Sequence, residues 1–234
     1  MMDSIIDIKA PVAWNQLTLK QLCVVAELFD LDLDRDTLLL VSFCRLAGLK
    51  ILRSKGEVFF GKGKTRFKLE AYQIKEFSEK MAFLLDEYPV DIVNPTKING
   101  HLLDTKFGSY FYADAMMLRY SITHKRRFIR KALKELGQRC RFISRRKAVA
   151  VSLWWQGVQG YIEGLYPLVF HRSKGGEAQT KSPFLILQDL FLMLNDNRPQ
   201  DNKLIEESDV HGVLSALNNK IDQYNKEKEA LKKK

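Results

Sequence analysis

Apolar residues recur at intervals of three and four along most of this chain. The clearest case is the segment 71–88, whose apolar members are Ile74, Phe77, Met81, Leu84 and Tyr88. This spacing places side chains on one face of an α-helix, and Pro89 is a residue that ends helices. The sequence therefore predicts one helix over 71–88 and, from the same spacing elsewhere, a mainly α protein.

Local signals predict where the other helices begin and end. Thr18 and Gln21 have the spacing of a capping box at the start of a first helix, and a second begins after Asp34 or Asp36 and ends at Gly48. Ser182 followed by Pro183 is typical of a helix start. A helix is predicted over 110–121, and the residues from there to Gly137 continue it or form a second helix. Further helices are predicted over 145–165, over 183–194, and from Ser208 to the tail.

Residues 57–70 differ from this pattern, because apolar and polar residues alternate around the glycine-bearing stretch GKGKT. That arrangement is typical of a β-hairpin. The fold class predicted is a helical protein with a small β-hairpin insert. Proline and glycine punctuate residues 91–108, which predicts a linker or hinge between an N-terminal half, 1–90, and a C-terminal half, 109–234.

The positive charge of the chain is concentrated in one segment. Of the 234 residues, 38 are Lys or Arg and 28 are Asp or Glu, which gives a formal net charge of +10. The segment from Arg119 to Lys147 contains twelve basic residues and one acid, Glu135, so the remainder is close to neutral. A charge concentrated in this way predicts a localised site for an anionic partner.

If residues 125–136 form a helix, its cations and its apolar residues lie on opposite sides. Phe128, Ile129, Ala132 and Leu133 form the side to be buried. Like charges spaced by four residues repel one another unless counter-charges are near. The candidate binding residues for a partner or for phosphates are Arg126, Arg127, Arg130, Lys131, Lys134, Arg145 and Arg146.

Three sources of counter-charge fit this segment. The first, which we prefer, is the acidic surface of a protein partner. The second is the phosphate backbone of a nucleic acid, although no base-reading motif is present. The third is a set of acids in the N-terminal half of this chain, which would make the segment a solvated, internally balanced face.

No set of residues predicts catalysis, and we expect a protein that is not an enzyme and carries no cofactor. His124 and Arg127 form an HxxR with Tyr161 further on, as in tyrosine recombinases, but the upstream arginine of such a site is lacking. Cys23, Cys44 and Cys140 are too scattered for a metal site. No apolar run is long enough to span a membrane, and the first residues lack the basic and then apolar regions of a signal peptide, so we expect a cytosolic protein.

Several stretches resemble tailed-phage and prophage proteins of the tail-assembly-chaperone or tail-accessory kind. They are the opening PVAWNQLTLKQLCVVAELF, with Trp14, Leu17, Thr18 and Gln21; the middle stretch LDEYPVDIVNPTKINGHLLDTKFGSYFYADAMML; and the apolar segment 183–194 followed by DVHGVLSALNNKIDQYNKEKE. The resemblance implies a non-enzymatic virion assembly or structural protein that acts through protein–protein contacts. It brings no catalytic residue with it.

Overall fold

A computed structural model describes residues 8–54, 57–86, 89, 92–170, 194 and 201–232 of the chain. Helices predominate in these residues, and a small three-stranded antiparallel sheet accompanies them. The predicted fold class, a helical protein with a small β insert, is confirmed. The predicted helix over 183–194 lies outside the described residues, apart from Leu194, which is helical.

The chain divides into two compact units. Met1–Pro95 and Arg145–Gly157 form the first, and Thr96–Ser144 and Val158–Lys234 form the second. The chain first leaves unit 1 after Pro95, within the segment 91–108 for which the sequence predicts a linker. It then returns to unit 1 with residues 145–157, which are not part of the N-terminal half predicted from chain order.

Unit 1 begins with two capped helices, α1 (Leu19–Phe29) and α2 (Arg35–Leu46). Thr18 and Gln21 form the predicted capping box, which satisfies donors at the open end of α1. Asp34 caps α2, and its hydrogen bonds with Thr37 hold the pKa of the Asp34 carboxyl below its usual range. Gly48, with a φ of 71°, follows α2 in the left-handed conformation that glycine adopts readily.

The sheet contains strands β1 (Lys50–Ser54), β2 (Glu57–Lys62) and β3 (Thr65–Phe67), in the order β1-β2-β3. Strands β2 and β3 are the predicted hairpin, with Gly63 in its turn at a φ of 62°. Strand β1, which the sequence did not predict, pairs with β2 so that Ile51 lies opposite Phe60. Phe60 is almost fully buried and anchors the sheet in unit 1.

The helix predicted over 71–88 is shorter than expected. Helix α3 covers Ala71–Glu79, and a separate 3-10 turn covers Ala82–Leu85. The prediction of one continuous helix is therefore wrong after Glu79. Met81 and Leu84 are buried after this break, and their spacing of three residues fits a 3-10 turn as well as an α-helix.

Unit 2 contains α4 (Phe107–Thr123), α5 (Arg127–Glu135), α7 (Asn202–Glu207) and α8 (Val210–Lys232). Helix α6 (Arg145–Leu165) contributes its last residues here and its first residues to unit 1. Backbone hydrogen bonds tie the start of α4 to the start of α8, because Phe107 donates to the Ser208 carbonyl and Val210 to the Thr105 carbonyl. The predicted C-terminal helix is confirmed, with Val210, Leu214 and Leu217 buried.

His211 provides a second tie within unit 2. Its Nε2 lies 2.7 Å from the carbonyl oxygen of His101, and its Nδ1 lies 2.9 Å from the Tyr166 hydroxyl. The carbonyl can only accept, so Nε2 carries a proton and, in the neutral ring, Nδ1 accepts from the hydroxyl. Burial and the nearby Asp209 carboxylate raise the pKa of Tyr166, which keeps that hydroxyl protonated as a donor.

A glycine of α4 lies close to the backbone of α7. A Cβ at Gly108 would lie 3.2 Å from both the Cβ and the carbonyl oxygen of Glu206. Gly108→Ala is therefore expected to cost about 1–3 kcal/mol of unfolding free energy through overpacking. Gly160→Ala is the matched control, because a Cβ there meets nothing within 4 Å and removing a helical glycine stabilises by up to about 1 kcal/mol. Urea denaturation of both variants measures the difference; equal midpoints would contradict the expectation.

Candidate functional site

The predicted basic helix is separate from α4, which ends a few residues before it. His124 ends α4 in the left-handed conformation, with a φ of 51°, and its N–H donates to the Tyr120 carbonyl over 2.7 Å. Left-handed backbone is rare outside glycine, although histidine tolerates it better than most residues. The reversal at His124 turns the chain so that α5 packs against α4 in unit 2, and the segment 119–137 is two helices.

Helix α5 has the two-sided character that its sequence predicts. Phe128, Ile129, Ala132 and Leu133 are buried. The five cations of this segment are exposed, and we call them the α5 basic surface: Arg126, Arg127, Arg130, Lys131 and Lys134. Because the apolar side is fixed in the core of unit 2, the cations are held on a rigid element and not on a mobile loop.

Gly137 ends α5 and directs the chain back along it. Its φ is 83°, its N–H donates to the Lys134 carbonyl, and the N–H of Gln138 donates to the Leu133 carbonyl. These two bonds are the Schellman arrangement that glycine favours after a helix. The same residue therefore closes the helix and begins the segment that lies beside its cations.

Residues 141–143 are held by two arginines of the α5 basic surface. Arg126 Nη1 donates to the Ile143 carbonyl over 3.2 Å, and Arg130 Nη1 donates to the Arg141 carbonyl over 3.1 Å. Ile143 is buried, whereas Phe142 is 79% exposed. The two guanidinium groups are thus held in place by backbone acceptors, and an aromatic ring is presented to solvent beside them.

Two adjacent cavities lie along the α5 basic surface. The first, of about 440 Å³, is lined by His124, Lys125, Arg126, Arg127 and Arg130 together with Phe142 and Ile143. The second, of about 400 Å³, is lined by Arg127, Arg130, Lys131, Lys134, Arg139, Cys140 and Arg141. Arg127 and Arg130 line both cavities, and we call the two adjacent cavities together the α5 groove.

The α5 basic surface has no counter-charge in the described part of the chain. None of its five side chains forms an ion pair there. Glu135, on the same helix, is exposed and pairs with none of them. Within the described residues no carboxylate relieves the repulsion between the cations, which leaves an electrostatic gain for an anionic partner that covers them.

Arg145 and Arg146 are placed differently from the other five candidate residues. They stand at the start of α6 in unit 1, where Arg145 pairs with Asp30 and Arg146 with Glu27. The two carboxylates belong to the N-terminal half, which is the third source of counter-charge that the sequence allowed. Burial raises the pKa of the neighbouring Cys23 thiol, and the charge of Arg146 opposes that rise.

Sequence reasoning missed Phe142 and the smaller contributors Lys125, Arg139 and Arg141. The Arg141 guanidinium lies 5.3 Å from the centre of the Phe142 ring, a cation–π distance. The available signal was an aromatic residue between arginines in the run RCRFISRR.

His124 and Arg127 of the HxxR hypothesis share a cavity that Tyr161 does not line. His124 and Arg127 both line the first cavity, but the Tyr161 ring lies against the ring of His101, with 4.7 Å between the two centres. Within the described ranges, no group of three or more His, Cys, Asp or Glu side chains has the arrangement of a metal site. In the same residues, no helix is both long and apolar enough to cross a bilayer.

The chain matches no protein-family model, no curated protein and no solved structure. Its candidate site therefore rests on its own geometry: five exposed cations on a rigid helix, two of them fixed by backbone carbonyls, beside an exposed aromatic ring.

Proposed function

We propose that this protein is a non-enzymatic assembly or structural accessory protein of a phage or prophage tail. It acts through protein–protein contacts, and the α5 basic surface binds the acidic surface of another tail or virion protein. It works in the cytoplasm of the producing cell or as part of the virion. The tail assignment rests on the sequence resemblance at Trp14, Leu17, Thr18 and Gln21 and in the two later stretches.

The observation that carries the binding role is the absence of counter-charges, within the described residues, around the α5 basic surface. Arg145 and Arg146 show how this chain neutralises a cation for its own stability, with carboxylates of the same unit. In the described residues, the cations of the α5 basic surface have no such carboxylate partners. A partner that supplies carboxylates gains charge complementarity, which steers association and fixes orientation.

The experiment that tests this role is charge reversal on α5, with binding measured to tail-tube and tape-measure proteins from the genome that encodes this chain. Loss of binding in the folded variant supports the proposal. Binding that is unchanged by the reversal rejects it.

One observation favours a second candidate function, the binding of single-stranded nucleic acid. Phe142 is exposed between the cations of the α5 groove, and an aromatic ring beside arginines is a site on which a base stacks. In this alternative the α5 basic surface holds phosphates in place of carboxylates.

Salt dependence distinguishes this alternative. If the five cations neutralise phosphates, the logarithm of the affinity for an oligodeoxythymidylate should fall with the logarithm of salt concentration with a slope of about −3 to −4. Phe142→Ala should weaken binding without changing that slope, because it removes stacking and no charge. Fluorescence anisotropy with single-stranded and duplex oligonucleotides measures both quantities. No binding at low salt would reject the alternative.

A further inference from the structure

The geometry points to a specific ligand for the α5 groove, and this inference rests on the proposed function. We propose that the groove binds a short acidic peptide segment of the partner that also carries one aromatic or aliphatic side chain. The carboxylates contact the cations of α5, and the apolar side chain packs on Phe142.

The cations are arranged for carboxylates. Arg126 and Arg130 each use one nitrogen to hold a carbonyl of the 141–143 segment, and a guanidinium has five N–H donors in a planar fork. The remaining donors are therefore available, and their orientation is set before the ligand arrives. Such pre-organisation lowers the entropy that binding costs, and the fork matches the two oxygens of a carboxylate.

The walls of the groove are not purely polar. Phe142 and Ile143 line the first cavity and Cys140 lines the second, and the alkyl stems of arginine and lysine present apolar surface below their charged ends. An apolar side chain can therefore enter between the cations while neighbouring carboxylates stay at the charged ends. This combination fits an amphipathic acidic segment.

The length of the groove sets the length of the ligand. Helix α5 has nine residues, which at about 1.5 Å per residue is about 13 Å. An extended peptide rises about 3.3 Å per residue, so about four or five residues lie along the helix. A segment of that length has room for two or three carboxylates and one residue on Phe142.

A nucleic acid fits these features less well. Proteins that bind single strands provide several aromatic rings on which successive bases stack. Among the described residues that line the two cavities, Phe142 is the only aromatic one apart from the imidazole of His124. We therefore assign the groove to a peptide and treat a nucleic acid as an outcome of the test.

The test uses the full chain and two fluorescein-labelled peptides in anisotropy titrations. The first peptide has one phenylalanine with two acidic residues before it and one after it, and the second has serine in place of that phenylalanine. We expect the phenylalanine peptide to bind about ten-fold more tightly. Phe142→Ala should abolish that difference, whereas Tyr224→Ala, which removes another exposed aromatic ring, should preserve it.

Three results would overturn the inference. The first is that the two peptides bind the unmodified protein with equal affinity. The second is that Phe142→Ala still prefers the phenylalanine peptide. The third is that an equal concentration of a ten-residue oligodeoxythymidylate displaces the bound peptide. If any of these occurs while charge reversal on α5 still prevents binding of the intact tail protein, the proposed function stands and only the assignment of the groove fails. Phe142 is exposed, so its substitution leaves the core intact.

Discussion

Replacing Trp154 with alanine is expected to lower the free energy of unfolding by about 3–5 kcal/mol, the usual cost of truncating a fully buried large aromatic. Trp154 is in the part of α6 that belongs to unit 1, its exposure is 0%, and its ring centre lies 6.0 Å from that of Trp155. The substitution leaves a cavity in tightly packed surroundings. Because total stabilities are typically about 5–15 kcal/mol, this one change brings the protein close to unfolding.

The matched control is Trp154→Phe. The indole Nε1 of Trp154 is buried and has no hydrogen-bond partner in the described part of the chain, and a buried donor without an acceptor is itself unfavourable. Phenylalanine keeps most of the ring and removes that donor, so its expected cost is smaller, about 1–2 kcal/mol. Urea denaturation followed by circular dichroism gives both values. A midpoint that does not move in Trp154→Ala would contradict the burial described for α6.

Sequence predicts those parts of the fold whose causes are local. Thr18 and Gln21 form their capping box within four residues, and Gly137 closes α5 through bonds to residues only a few positions earlier. The buried side of α5 follows from spacing alone. In each case the residues that make the interaction are neighbours in the chain, so the pattern that encodes the structure can be read directly.

Local sequence patterns do not predict strand β1 or the end of α3, because both depend on tertiary contacts. The stretch Lys50–Ser54 is short and contains two cations, and it becomes a strand because β2 provides a pairing partner. After Glu79, Met81 and Leu84 satisfy both helical and 3-10 spacing, so periodicity does not distinguish between the two. Tertiary burial of these side chains decides the outcome.

The candidate site likewise has some features with local causes and others that depend on residues distant in the chain. The exposure of the α5 cations follows from the helix pattern, but the counter-charge of Arg145 is Asp30, 115 residues earlier in the chain. Nothing near Arg145 in sequence indicates that pair. Phe142 is exposed because the backbone at residues 141 and 143 is tied to Arg130 and Arg126, a constraint that appears only once α5 and the following segment lie together.

Reversing Arg127, Lys131 and Lys134 to glutamate is expected to weaken binding of the acidic partner by about 100-fold or more, since each reversal replaces an attraction by a repulsion. These three side chains make no side-chain hydrogen bond or ion pair in the described part of the chain. Arg126 and Arg130 stay unchanged because they hold the 141–143 segment. Loss of binding then reports on the charge of the groove, because the 141–143 segment stays held beside α5.

The variant should remain folded, because glutamates at 127 and 134 lie three and four residues from Arg130 and replace repulsion by attraction. Lys20, Lys64 and Lys228 reversed to glutamate form the control: all three are exposed outside the α5 basic surface, and the net charge falls from +10 to +4 in both proteins. Calorimetric titration at two salt concentrations separates a long-range effect of net charge from a local effect of the α5 basic surface. A long-range effect weakens partner binding equally in both variants. A local effect weakens partner binding only in the α5 variant. Equal losses of affinity in the two variants would therefore remove the α5 basic surface from the proposed function.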